Sequence, residues 1–304
     1  MSFGPQSSDA RKIGEETPVH QASPREIPPG LHFIATPIGA ARDITLRALD
    51  LLAGADVLAA EDTRSLRHLM EIHGIALKDR QVVPYHEHNE PVALPRLMRA
   101  LHEGKSVVYA SEAGTPLISD PGFGLARAAI AEGLPVLAAP GPSAVLCALT
   151  VSGLPSDRFL FAGFVPSTKT ARRKFLEGLA RIEATLIVYD SPKRIHETLA
   201  ESMIVFGESR RAVVCRELTK RFEEVTRGSL AELVAAFDGR DVKGEIVILV
   251  DRSAPVAADQ GTVEAALDEA MQSMSVKDAA SAVSEAFGLA RREVYQMALM
   301  RGRG

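Results

Sequence analysis

Residues 107–122 read VVYASEAGTPLISDPG, an apolar run, Val107 to Ala110, that stops abruptly in a loop. The loop carries two glycines, two prolines (Pro116 and Pro121), the carboxylate Glu112, and the small polar residues Ser111, Thr115 and Asp120. A buried strand that ends in such a loop marks the place where open α/β sheets hold their ligands. Glycine lets the backbone come close to a ligand and proline stiffens the approach. Taken alone, the stretch reads equally well as a tight turn. Two further loops tip the balance: Thr36-Pro37-Ile38-Gly39 follows an earlier apolar run, and Pro140-Gly141-Pro142-Ser143 follows a later one. Three proline–glycine loops at three strand ends predict one shared crevice.

Working outward, a βα rhythm runs on both sides of this stretch. Strands are predicted at Leu31–Thr36, Val57–Ala60, Val82–Tyr85, Ser106–Ala110 and Pro135–Ala139. Amphipathic helices fit Thr45–Ala53, Ser65–His73, Pro91–Glu103 and Phe123–Glu132. Strands alternating with helices of this size predict a mostly parallel sheet covered on both faces. A bridging helix, Pro142–Val151, leads to a second unit. Its predicted strands are Arg158–Phe164, Thr185–Tyr189, Ala212–Arg216, Glu224–Arg227 and Glu245–Val250. Its predicted helices are Lys169–Arg181, Pro192–Val205 and Ser229–Phe237, around a mixed sheet.

Residues 1–29, rich in Ser, Pro and charge without apolar periodicity, read as a disordered tail. A linker, Asp251–Gln260, precedes Thr262–Met300, which reads as helical throughout with a turn at Gly288. That last pair resembles a helix-turn-helix unit and fits a packing hairpin equally. The fold class is therefore α/β, with two α/β domains (30–141 and 142–251) and a small C-terminal helical domain (252–304).

Of 304 residues, 46% are hydrophobic and only 5% aromatic with no tryptophan, so the core is expected to be aliphatic. The net charge of −4 argues against nonspecific nucleic-acid binding by the whole chain. The charge is uneven: residues 31–140 hold 10 Lys+Arg against 13 Asp+Glu, and residues 156–229 hold 14 against 10. The second unit is thus the expected polyanion surface. The cluster Lys169, Arg172, Arg173 and Lys174 has helical spacing, and a plain solvated face is its other reading.

The two cysteines, Cys147 and Cys215, lie in apolar segments and read as buried free thiols. No zinc-ligand spacing occurs, and His86 and His88 find no third ligand, so no metal is expected. No signal peptide and no membrane-spanning apolar run is found, and a cytoplasmic location is expected. The phosphate-loop pattern GxxxxGK[ST] is absent. Gly122-Phe123-Gly124 begins like a dinucleotide fingerprint, but Arg127 stands where the third glycine belongs.

Eight stretches in unbroken order from Leu31 to Val250 carry a resemblance: LHFIATPIGAARDITLRALDLLAGADVLAAEDTR, YHEHNE, SEAGTPLISDPG, APGPSAV, GLPSDRFLFAGFVP, LIVYDSPKRI, RELTK and KGEIVILV. Together they resemble the ribosomal RNA small subunit methyltransferase I family, of the tetrapyrrole-methylase-like, class III S-adenosylmethionine (SAM) methyltransferases. The EDTR, HNE and GLPSDRF elements separate it from the cobalamin and siroheme relatives. The helical tail is similar to that family's C-terminal helix-turn-helix domain. The resemblance implies SAM as methyl donor, bound between two α/β domains of a homodimer. It implies 2′-O-methylation of a decoding-centre cytidine ribose in 16S rRNA of the 30S subunit. The chain departs from the family pattern at Ala40 (usually asparagine), Glu112 (aspartate), Asp190 (glutamate) and Lys193 (histidine).

A ribose hydroxyl is a poor nucleophile at neutral pH, so alignment and a general base carry the chemistry. Base and alkoxide stabiliser are expected among Glu61, Asp62 and Arg64, for which a salt bridge capping the next helix is the structural alternative. SAM contacts are expected from Thr36, Pro37, Gly39, His86, Glu87, Glu112, Gly114, Thr115, Pro116, Pro140, Pro142 and Ser143. Tyr189, Lys193 and Arg194 are second-tier candidates for the base and stabiliser roles from the second unit. RNA contacts are expected from Lys169, Arg172, Arg173, Lys174, Lys193 and Arg194, with Arg291, Arg292, Arg301 and Arg303 in the tail. Two rivals share the fold: a tetrapyrrole methyltransferase and a noncatalytic ribosome-assembly factor.

Overall fold

The computed structural model describes residues 26–86, 88–118, 121–253 and 260–301. The tail reading for residues 1–25, most of the linker, and the sites expected at Glu87, Asp120 and Arg303 lie outside the described residues. Contacts divide the chain into two compact units. One holds the chain through Cys147 together with Leu218–Arg221; the other holds Ala148–Glu217 and everything from Phe222 on.

The first unit alternates β1 (Gly30–Ile34), α1 (Leu46–Gly54), β2 (Val57–Ala60), α2 (Thr63–Ile72), β3 (Val82–Pro84), α3 (Glu90–His102), β4 (Ser106–Ala110), α4 (Phe123–Ala131) and β5 (Val136–Ala139). The next helix, α5 (Ala144–Ser152), contains the division between the units. The five strands pair in the order β3-β2-β4-β1-β5, all parallel. Every residue of β1 and β4 is buried, as continuous apolar strands covered on both faces require. The two-residue period of a strand sorts their side chains. Ile34, Val108 and Ala110 pack with α1 and α2, while Leu31, Phe33, Val107 and Tyr109 pack with α3 and α4.

The second unit holds β6 (Phe159–Phe164), α6 (Lys169–Leu179), β7 (Thr185–Asp190), α7 (Ile195–Phe206), β8 (Arg211–Arg216), β9 (Glu224–Ser229), α8 (Leu230–Phe237) and β10 (Ile246–Val250). Its order is β6-β7-β10-β8-β9, and only β6 and β7 run parallel, which is the mixed sheet expected. The helix expected from Pro192 begins instead with a 3₁₀ turn, Pro192–Arg194, before α7. Ser229 starts α8 with a reciprocal capping box: its hydroxyl accepts from the Glu232 amide, and the Glu232 carboxylate accepts from its own.

The tail forms three helices: α9 (Gln260–Met271), α10 (Val276–Phe287) and α11 (Arg291–Arg301). The expectation of unbroken helix before Gly288 is corrected. A second break falls at 272–275, where the Ser275 hydroxyl accepts from the Asp278 amide and starts α10 afresh. Gly288 ends α10 in the left-handed region (φ +63°), as a helix-terminal glycine does. Val263, Leu267, Ala280, Val283, Val294 and Ala298 give these helices a core of their own. Among the described residues, no helix is long and apolar enough to cross a membrane.

Candidate active site at the carboxyl edge of the parallel sheet

Because β1 to β5 all run the same way, five loops leave one edge of the first sheet. The loop after β1 leads to α1 on one face, and the loop after its neighbour β4 leads to α4 on the other. A crevice opens where neighbouring loops part in this way. The first of these two loops carries Thr36, Pro37 and Gly39, and the second carries Glu112, Gly114, Thr115 and Pro116.

The structure ties three of the expected loops together. Thr36 and Gly114 form an antiparallel bridge between the two loops, with N···O distances of 3.0 and 2.9 Å. The Thr36 hydroxyl donates to the Ser111 carbonyl at 3.1 Å, and the Ser111 hydroxyl donates to the Gly114 carbonyl at 2.5 Å. The Thr115 hydroxyl donates to the Pro142 carbonyl at 2.9 Å, which joins the loop after β5. Ser111 and Gly141 hold this junction although neither was expected among the contacts.

Backbone approaches are close. A Cβ on Gly141 would lie 2.8 Å from that of Ala35. A Cβ on Gly39 would lie 2.5 Å from the Thr219 hydroxyl and the Lys220 Cγ. Gly114 has φ +81°, a conformation that L side chains rarely adopt. The junction therefore offers main-chain groups and small side chains, a lining that fits a small polar ligand held by backbone N–H and C=O. Glu112 is exposed and has no partner among the described residues, so its carboxylate is open to a ligand hydroxyl or amine.

The loops after β2 and β3 stand on the same edge. Asp62 caps α2, its carboxylate accepting from the Arg64 amide at 2.7 Å and the Ser65 amide at 3.4 Å. The Arg64 guanidinium adds a bond at 3.2 Å and holds the Asp62 carboxyl below its usual range. That shift runs the wrong way for a general base near neutral pH. Asp62 and Arg64 thus form the helix-capping pair that was the alternative reading, and Glu61 stands beside them. His86 closes a turn, its amide donating to the Asn89 side chain at 2.8 Å. The rings of His86 and His88 meet edge to face at 6.1 Å. Tyr85, just before them, is fully buried; desolvation, with the Glu90 carboxylate nearby, raises its phenol well above the usual range.

In the second unit the basic cluster of α6 is largely committed. Arg172, expected on the RNA face, is only 2% exposed and is bonded to Glu197. Arg173 pairs with Glu201 at 2.7 Å and Lys169 lies 3.6 Å from the same carboxylate. Arg194 is bonded to the buried Asp190 at 2.8 Å, one turn away. Asp190 also accepts from the Ser191 amide and the Thr198 hydroxyl, so it organises the start of α7. Lys174 and Lys193 are exposed and have no side-chain partner among the described residues. Helical spacing alone does not reveal this, because the acids that neutralise the cluster lie on α7, some 25 residues away. Tyr189 packs against Phe161 and Phe164 at 4.7 and 5.3 Å between ring centroids.

Comparison with known proteins agrees with the folds described. A family model described as Tetrapyrrole (Corrin/Porphyrin) Methylases matches residues 30–234, and one described as RsmI C-terminal HTH domain matches residues 257–302. A Mesorhizobium japonicum protein named ribosomal RNA small subunit methyltransferase I is 44% identical over 276 residues, covering 90% of this chain and 93% of its own. A protein of the same name from Xylella fastidiosa is 44% identical over 274 residues, covering 88% and 98%. Among solved structures, a cobalt precorrin-4 methyltransferase of cobalamin biosynthesis is similar with a TM-score of 0.55 at 20% identity, covering 73% of this chain and 94% of its own. A diphthine synthase gives 0.56 at 19%, covering 73% and 89%. At those identities the two structures speak for the fold alone.

Proposed function

The chain belongs to the ribosomal RNA small subunit methyltransferase I family, and from that premise we propose that it moves the methyl of SAM to the ribose 2′-hydroxyl of a decoding-centre cytidine in 16S rRNA, within the 30S subunit. The enzyme is a methyltransferase. The observation that carries the choice of acceptor is the identity of 44% to proteins named as rRNA methyltransferases along nearly the whole chain.

SAM, when bound, supplies a methyl group on a positively charged sulfur. The backbone groups of Thr36, Pro37, Gly39, Gly114, Thr115, Pro116, Pro140, Pro142 and Ser143 would hold it, with contacts from Glu112 and His86 and, outside the described residues, from Glu87. The junction of Thr36, Ser111, Gly114 and Pro142 supports this, because the loops that carry these groups are hydrogen-bonded to one another. A fixed site spends less of its binding free energy on ordering, and alignment is worth up to ~7–11 kcal/mol in well-oriented reactions.

Glu61 takes the proton of the ribose hydroxyl. Arg64, whose side chain is 88% exposed, leaves Asp62 to hold a phosphate of the RNA. Lys174 and Lys193, with Arg291 and Arg292 of the tail, meet the RNA backbone, and Lys169, Arg173 and Arg194 assist from the edge of that surface. A homodimer, a cytoplasmic location and a domain division at 30–141, 142–251 and 252–304 complete the proposal.

The test is methyl transfer from labelled SAM to three acceptors: 30S particles lacking the modification, free 16S rRNA, and a tetrapyrrole. Label in the 30S particle is the expected result. Label in the tetrapyrrole alone would overturn the assignment. SAM bound with no transfer to any of the three would point to another RNA acceptor, and neither transfer nor SAM binding would favour a ribosome-assembly factor.

A further inference from the structure

Between β8 and β9 the chain reads Arg216-Glu217-Leu218-Thr219-Lys220, and it carries two of the four described non-glycine residues with positive φ: Glu217 at +52° and Thr219 at +63°. A β-branched residue in the left-handed region is a true outlier, and such strain persists only where the surroundings impose it. The surroundings are visible on both sides. Glu217 is anchored to the loop before β10: its amide donates to the Glu245 carbonyl and its carboxylate accepts from the Glu245 amide, both at 3.0 Å. Its side chain packs over Gly244, whose φ of +95° is one that L side chains rarely adopt. Leu218–Arg221 then packs with the first unit.

There the Thr219 hydroxyl accepts a hydrogen bond from the Ala40 amide at 3.1 Å. Gly39 presses against the same hydroxyl and the Leu218 carbonyl so closely that a Cβ would stand 2.5 and 3.0 Å from them. Ala40 precedes the 3₁₀ turn Ala41–Asp43 and brings no side-chain cap to it. The turn that begins with Thr36 and Pro37 is thus held at its far end by a hydroxyl 179 residues along the chain.

We infer that Thr219 is a positioning residue for the methyl donor: its strained hydroxyl fixes the Pro37–Ala40 turn so that the backbone groups of that turn meet SAM in a preset geometry. The inference rests on the proposal that this turn binds SAM. Loss of the hydroxyl frees the Ala40 amide and loosens the turn without touching the reacting atoms. A residue that acts this way changes donor binding and leaves the chemical step alone.

Calorimetric titration of the full-length protein with SAM, paired with KM and kcat for SAM on 30S particles, tests it. Thr219→Val keeps the β-branching and removes the hydroxyl; Thr219→Ser keeps the hydroxyl. The expected result is a rise of about tenfold in both Kd and KM for SAM with Thr219→Val, with kcat changed less than about twofold, and near-native values with Thr219→Ser. Gly39→Ala, which pushes the hydroxyl away from the other side, is expected to raise Kd in the same sense and covers the case in which Thr219→Val folds poorly. Unchanged Kd in Thr219→Val or Gly39→Ala, with wild-type binding intact, would overturn the positioning role. Failure of the wild-type protein to bind SAM would overturn the donor-site reading itself.

Discussion

Thr36 and Gly114 exchange both of their backbone hydrogen bonds, so the loop that leaves β1 and the loop that leaves β4 are one structure at the point where their helices part to opposite faces. Gly114 reaches this pairing only with φ +81°. An alanine there costs roughly 1–2 kcal/mol of left-handed strain. Its Cβ would also sit 3.3 Å from the Ile38 Cγ2. Gly114→Ala should therefore lower the denaturant midpoint modestly and weaken SAM binding, both measurable on the same purified protein. Unchanged SAM affinity would move the donor site away from this bridge.

Glu61 and Asp62 are adjacent carboxylates with different prospects. Asp62 is held ionised by Arg64 and by helix amides, whereas a base needs a pKa closer to neutrality. Glu61→Gln should cut kcat by ~10²–10⁴ with SAM affinity nearly intact. Equal kcat in wild type and Glu61→Gln would remove Glu61 from the chemistry.

Asp62→Ala should instead destabilise the start of α2. The native pKa of Asp62 is depressed, so its contribution is present above its ordinary value of 3.8 and is lost as the pH falls through the lower native pKa. The stability difference between wild type and Asp62→Ala should shrink in acid, as read by denaturation at several pH values. A constant difference would assign the effect to packing.

Charge reversal should separate committed from open cations on the second unit. Lys174→Glu with Lys193→Glu is expected to weaken binding to rRNA and to reduce the salt slope by about 2. Lys169→Glu with Arg173→Glu should act mainly on stability, because both face Glu201. Arg172→Ala, which strips a buried charged bond to Glu197, should cost about 2 kcal/mol. Equal salt slopes in the two reversal pairs would contradict this sorting.

Gly124 lies in the first turn of α4, where a glycine-to-alanine change ordinarily gains about 0.5–1 kcal/mol. Here the Glu90 carboxylate crosses so close that the new Cβ would fall 1.8 Å from its Oε1. That carboxylate is the free end of a flexible side chain and can swing aside, so Gly124→Ala should keep most of the helix gain and leave the melting temperature unchanged or higher; a clear drop would contradict that.

Much of this was legible in the sequence. The parallel sheet followed from apolar runs such as Val107–Ala110 alternating with helix-length segments, and the meeting of three proline–glycine loops at one sheet edge followed from their places at strand ends. What the sequence hid are relationships that depend on distant partners. Arg172 has the spacing of a surface cation, and only Glu197 on α7 draws it inward. RELTK has no turn residue to announce a left-handed Thr219. That Asp62 caps α2 and pairs with Arg64 shows only in its hydrogen bonds. The break before Ser275 lies among residues that all tolerate helix, so hydrophobic period alone passes over it.

The most direct test of the account is to label 30S particles lacking the modification with methyl-labelled SAM, digest the rRNA to nucleosides, and identify the labelled one. The account predicts a cytidine labelled on its ribose 2′-oxygen, with that activity lost in Glu61→Gln. Label on a base, or on a nucleoside other than cytidine, would contradict it.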